Sequence, residues 1–141
     1  MRVSMDVNFK KFHKKCEATI SKVANSSLVA TQEACEDILE ESLNQVPRDT
    51  NTLANSAYYE ITRSASYGFE ADIGYGNGLV NPKSGAVVED YAVVVHEDLE
   101  AHHPIGKAKF LEDPVRQYAD EHFPRTIIKN VGPVLDGENN E

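Results

Sequence analysis

Residues 91–114 read YAVVVHEDLEAHHPIGKAKFLEDP. The stretch opens on an apolar run, Tyr91-Ala92-Val93-Val94-Val95, and then turns polar. It holds three of the chain's five histidines: His96, His102 and His103. Pro104 and Gly106 punctuate it, and Phe110-Leu111 closes it against Asp113-Pro114. A buried segment becomes an ordered surface loop and then a helix start. Loops held on a rigid scaffold are where partner contacts concentrate. Residues 91–96 suit either a strand or a short buried helix, because a short apolar run looks alike in both. The choice decides whether the middle of the chain, residues 47–112, is β-rich with long loops, as expected here.

Upstream, residues 57–65 alternate in character, as do residues 69–75, around a turn near Ser66-Tyr67-Gly68. Two alternating runs about a glycine-containing turn predict an antiparallel hairpin. Gly74, Gly76, Gly78 and the run Asn81-Pro82-Lys83-Ser84-Gly85 mark a flexible loop or a wide hairpin tip. Val87-Val88 is a further candidate strand. GYGNG at residues 74–78 lacks the following helix and lysine of a nucleotide loop. Before the hairpin, Asp49 and Thr50 are suited to capping a short helix or turn, and Asn51 tolerates positive φ.

Residues 8–46 predict a long helix. Phe9, Phe12, Cys16, Ile20, Val23, Ser27, Ala30, Ala34 and Ile38 recur in steps of three and four, uninterrupted by Pro or Gly. A kink or break is expected at Asn25-Ser26-Ser27. The small residues in the middle of the stripe would admit a close neighbour, either in the core or from another subunit. Glu33, Glu36, Asp37, Glu40 and Glu41 read as the solvated back of this helix.

Downstream, Asp113 is placed to cap a C-terminal helix over residues 113–133, with Pro114 at its first position. Val115, Tyr118, Ala119, Phe123, Ile127 and Val131 share one face. Pro124 should split the helix near Phe123, and Gly132-Pro133 should end it. Residues 134–141 read as a polar, disordered tail. The expected architecture is one α+β domain over residues 1–141. It has a long N-terminal helix, a small hairpin-based antiparallel sheet and a C-terminal helix packed on that sheet.

With 141 residues the chain is long enough to bury a core without staples. No apolar run approaches the roughly 20 residues of a membrane helix, and no secretion signal is read at the start. The net charge is −9, which argues against a protein that grips duplex DNA by its phosphates. Cys16 and Cys35, on one helix, would stand roughly 28 Å apart and could not bridge. They read as reduced thiols of a cytosolic protein.

His96-Glu97 followed by His102-His103 is the one constellation that suggests chemistry, a metal site in a small hydrolase. The six-residue gap and the intervening loop depart from the four-residue helical spacing of a zinc protease motif. Hydrogen bonding at a surface or interface is the simpler expectation. No serine elbow, phosphate loop or acid/base pair appears. No cofactor, no metal and no enzymatic activity are expected.

Two segments resemble a known family. Val46-Pro47-Arg48-Asp49-Thr50-Asn51-Thr52-Leu53-Ala54-Asn55-Ser56 is similar to a VP-DTG-L-S segment. Residues 91–97 with residues 101–112 are similar to a YA-VHE…HP-G-AKFLE segment. Both occur, in this order, in the small neck proteins of long-tailed bacteriophages, called head–tail joining, tail-completion or minor capsid proteins. The chain departs from the family at Asn51, where glycine is usual, and over residues 96–101, where many members have a Gly-Thr turn. The resemblance implies a structural virion protein assembled in the host cytoplasm. It implies a ring of six copies between the head connector, on the portal side, and the tail tube or tail terminator, leaving a channel through which DNA passes. A tail terminator or another minor capsid component is the neighbouring possibility, and a non-viral cytosolic interaction module a more distant one. Residues expected at subunit or partner contacts are Tyr91, His96, Glu97, His102, His103, Lys107, Lys109, Phe110 and Leu111. Acidic residues are expected to line part of the channel and keep DNA from adhering.

Overall fold

The computed structural model describes residues 9–63 and 68–137. The fold is α+β, with a long N-terminal helix, a two-stranded antiparallel sheet and a helical C-terminal region. Helix α1 spans Lys10–Gln45 in 36 residues without a break, about 54 Å at 1.5 Å per residue. The helix does not break at Asn25-Ser26-Ser27, where a kink or break is expected. Thr31 Oγ1 donates to Ser27 O at 2.8 Å, and Ala24 and Ala30 are buried on either side, so packing carries the helix through. Pro47 ends it by removing the next backbone donor.

A sharp turn follows. Asn51 sits at φ 60, in the left-handed region, and the four-residue helix α2, Thr52–Asn55, starts from it. Neither Asp49 nor Thr50 is its N-cap: that position is Asn51, with no side-chain capping bond, while Thr50 Oγ1 accepts from Thr52 N–H at 3.4 Å and Asp49 pairs with Lys83. Strands β1 (Ala57–Arg63) and β2 (Phe69–Tyr75) pair in the register Ala57↔Tyr75 through Arg63↔Phe69. The turn residues Ser66 and Tyr67 and the strand position Ala65 lie outside the described residues. The glycine-rich segment after β2 closes as a wide tip, with Val80 bridging Val87 and Val88 N–H donating to Leu79 O at 2.8 Å.

The middle of the chain is less β-rich than expected. Residues 91–95 belong to helix α3, Val88–Glu97, and no third strand joins the sheet among the described residues. Val88 and Ala92 are buried four residues apart, with Tyr91 and Val95 half-buried beside them. Glu89 and Asp90 lie in the first turn, where the helix dipole favours negative charge.

The C-terminal region is α4 (Glu112–Gln117), one π-helical turn (Tyr118–His122) and α5 (Phe123–Leu135). Pro124 falls in the first turn of α5, so the break expected near Phe123 takes the form of the π turn. The helix does not end at Gly132-Pro133. It runs on to Leu135, because Pro133 forgoes one backbone bond while Val131 and Val134 are buried on either side of it. Nor does the Asp113 side chain cap α4. The helix begins one residue earlier, and the Asp113 carboxylate pairs with Lys107.

Helix α5 packs chiefly along α1 and antiparallel to it. Tyr118, before α5, packs with Ala34 and Ile38. Further on, Lys129 and Asn130 reach Glu33 at 3.1 and 3.0 Å, and Leu135 lies by Ile20 and Val23. Glu33 therefore faces α5 instead of forming part of the solvated back, while Glu36, Asp37, Glu40 and Glu41 are exposed. Two apolar clusters form the core. Val46, Leu53, Ala54, Val88, Ala92 and Phe110 make the larger; Ala34, Ile38 and Tyr118 make the smaller, and Leu111 packs against both. Cys16 and Cys35 are free thiols on α1, and burial pushes the Cys35 thiol up from its ordinary range.

Candidate assembly surface

The site expected from the sequence is the loop between α3 and α4. Its geometry starts at Phe110, which is 1% exposed. Tyr75 and His96 meet this ring edge-on, with centroids 5.1 and 5.0 Å away. His96 is held at both nitrogens. Its Nε2 accepts the Glu112 N–H at 3.2 Å, which puts the ring proton on Nδ1, where it donates to Glu97 Oε1 at 2.7 Å.

Lys109 completes the cluster. Its backbone sits at φ 57, and its N–H donates to His96 O at 2.8 Å. Its ammonium pairs with Glu97 and with Glu112, the latter at 2.7 Å. Hydrogen bonding to Lys109 holds the Glu97 and Glu112 carboxyls below the usual carboxylate range. Glu112, then Glu97, raises the Lys109 ammonium in turn. A left-handed lysine costs backbone energy, which the two ion pairs and the backbone hydrogen bond offset.

The loop itself is pinned. Asp98 Oδ1 accepts the N–H groups of Glu100 and Ala101 at 3.0 and 3.1 Å. At the far side Lys107 N–H donates to Gln45 O at 2.9 Å. Gly106, at φ 89, lies against the backbone of Val46 and Pro47. Between the loop and the turn at residues 47–53 is a groove of about 240 Å³, lined by Pro47, Asn51, Tyr91, Val95, His103 and Ile105 among others. Tyr91 Oη and His103 Nε2 are shielded from solvent with no protein hydrogen-bond partner among the described residues.

The expected contact residues therefore divide. Tyr91 and His103 line the groove, and His102 is exposed on the loop. His96, Glu97, Lys107 and Lys109 bind the loop to its own scaffold. Phe110 is core, so it presents no surface to a partner, and Leu111 is half-buried between the clusters. Among the described residues no three His, Cys, Asp or Glu side chains converge as a metal site. His96 has both nitrogens engaged, and Glu97 is matched by Lys109.

Sequence reading missed four exposed apolar side chains around this loop: Val93, Val94, Leu99 at 73% and Ile105 at 56%. The signal was present for two of them. Once Val88, Ala92 and Val95 face inward on a helix, Val93 and Val94 must face outward. Searches against protein-family models, curated proteins and solved structures returned no match to this chain.

Proposed function

We propose that the chain is a structural subunit of the neck of a long-tailed bacteriophage. Six copies form a ring that joins the head connector to the tail tube and leaves a channel for DNA. The observation that carries this reading is the union of the two segments that resemble the neck family. Residues 57–90 separate them in sequence, yet Gly106 of the second rests on Pro47 of the first. Together they build one pinned loop and one groove, and they expose Leu99 and Ile105 beside them. Apolar side chains carried outward on a rigid loop suit a subunit that works by fitting its neighbours.

The test is removal of the chain from the phage that carries it. Full heads and finished tails that stay apart in electron micrographs, and join when purified protein is added, are the expected result. Infectious, joined particles without the chain would end the reading.

A further inference from the structure

We propose that the N-terminal part of α1 seats on the outer face of α3 of a second copy, in a head-to-tail contact. This deepens the ring reading, on which its closure rests, by naming the two surfaces that meet.

The first surface is uncovered helix. Up to Lys22 every described residue except Cys16 is exposed, and Cys16 is half-buried. The apolar stripe nevertheless continues there, with Phe9 66% exposed, Phe12 67% and Ile20 46%. It is the same stripe that α5 and the core cover further along, so this stretch has an apolar face prepared for a partner. The rest of its circumference carries Lys11, Lys14 and Lys15. Between residues 10 and 22 five lysines stand against one carboxylate, Glu17, in a chain whose net charge is −9.

The second surface has the opposite sign. Val93 and Val94, 68% and 63% exposed, stand on the outer face of α3. Glu89, Asp90 and Asp98 stand around them, all exposed, while Glu97 beside them is already matched by Lys109. Beside Val93 a recess of about 230 Å³ opens, lined by Tyr75, Ala92, His96 and Leu111 among others, with the buried Phe110 at its floor. An apolar cavity of about 150 Å³ already holds a benzene ring, so the recess has room for the ring of Phe12. The apolar centres match, and lysines meet carboxylates at the rim.

Charge selects the partner. Two copies pairing α1 against α1 would bring lysine-rich helices together. Nor can one chain join its own surfaces. Phe12 lies about 51 Å along the helix from Val46, at 1.5 Å per residue, and Val46 packs in the cluster that holds α3. The contact must run from one copy to the next. A contact between unlike surfaces repeats until it closes into a ring or grows as a filament.

The test uses the full chain with Cys16→Ser. Phe12→Cys copies are mixed with Val94→Cys copies and treated with a short bis-maleimide. The expected product is a dimer joined between positions 12 and 94, identified by mass spectrometry of its peptides. Lys11→Glu, Lys14→Glu and Lys15→Glu together should raise the self-dissociation constant about tenfold. Adding Glu89→Lys and Asp90→Lys should recover most of that loss. Cross-links between two copies of position 12, a single-copy mass at every concentration, or binding to anionic vesicles in place of self-association would each overturn the proposal. A ring whose cross-links avoid the 12–94 pair removes this contact alone. The neck reading is judged separately, by head–tail joining.

Discussion

Gly106 lies so close to Pro47 that a Cβ at residue 106 would stand 2.5 Å from the proline nitrogen. The neighbour is backbone, which cannot swing aside. Gly106 also holds φ 89, where a side chain is strained in any surroundings. Gly106→Ala should therefore cost at least about 2 kcal/mol in urea unfolding. Gly85→Ala is the control, since φ is 73 there but nothing lies within 4 Å. It should cost about 1 kcal/mol. Equal losses at the two sites would show that the loop does not rest on Pro47.

Phe110→Ala should destabilise by about 3–5 kcal/mol, the range for emptying a buried aromatic site. The ring is the largest fully buried side chain among the described residues, and it meets both Tyr75 and His96. Phe110→Leu should cost less, because part of the volume is kept. Chemical denaturation of both variants checks the order.

Acid should loosen the loop through Glu97 and Glu112. Their carboxyls are depressed in the folded chain, so their contribution is present above the ordinary carboxylate value of 4.5 and fades as pH falls through the folded values below it. Lys109 has the opposite sign. Its raised ammonium contributes fully below the ordinary lysine value of 10.5, and the contribution is lost as pH climbs past the folded value above it. Urea midpoints of the wild type should hold from neutral pH to about 5 and then decline. Lys109→Met should flatten that acid limb. An unchanged slope in the variant would mean that the carboxylates are held by something else.

Chelation should leave the protein as it was. Both nitrogens of His96 are engaged by protein groups, and Glu97 already faces an ammonium. Purified chain is expected to hold zinc well below one equivalent and to melt at the same temperature with and without a chelator. A melting point that rises on zinc addition, and falls again with His102→Ala and His103→Ala, would place a metal in this loop.

Parts of the architecture were readable from residues alone because local chemistry decides them. The stripe from Phe9 to Ile38 specifies a helix, Asn51 a left-handed turn, and Pro124 a break. The valine run at residues 93–95 was ambiguous because β-branched residues suit strands, and only packing of Val88 and Ala92 against Phe110 makes it a helix. The contact of Gly106 with Pro47 joins residues far apart in the chain, and no local pattern announces it. The bareness of Phe9 and Phe12 was equally hidden. An apolar stripe reads the same whether or not anything covers it.

Leu111 packs against both apolar clusters, one shared with α1 and the π turn, the other with α3 and the groove. In mechanical terms it is a joint between a long lever and the grip at its far end. Under the head-to-tail contact proposed above, this side chain would lie between the two faces that meet neighbouring copies.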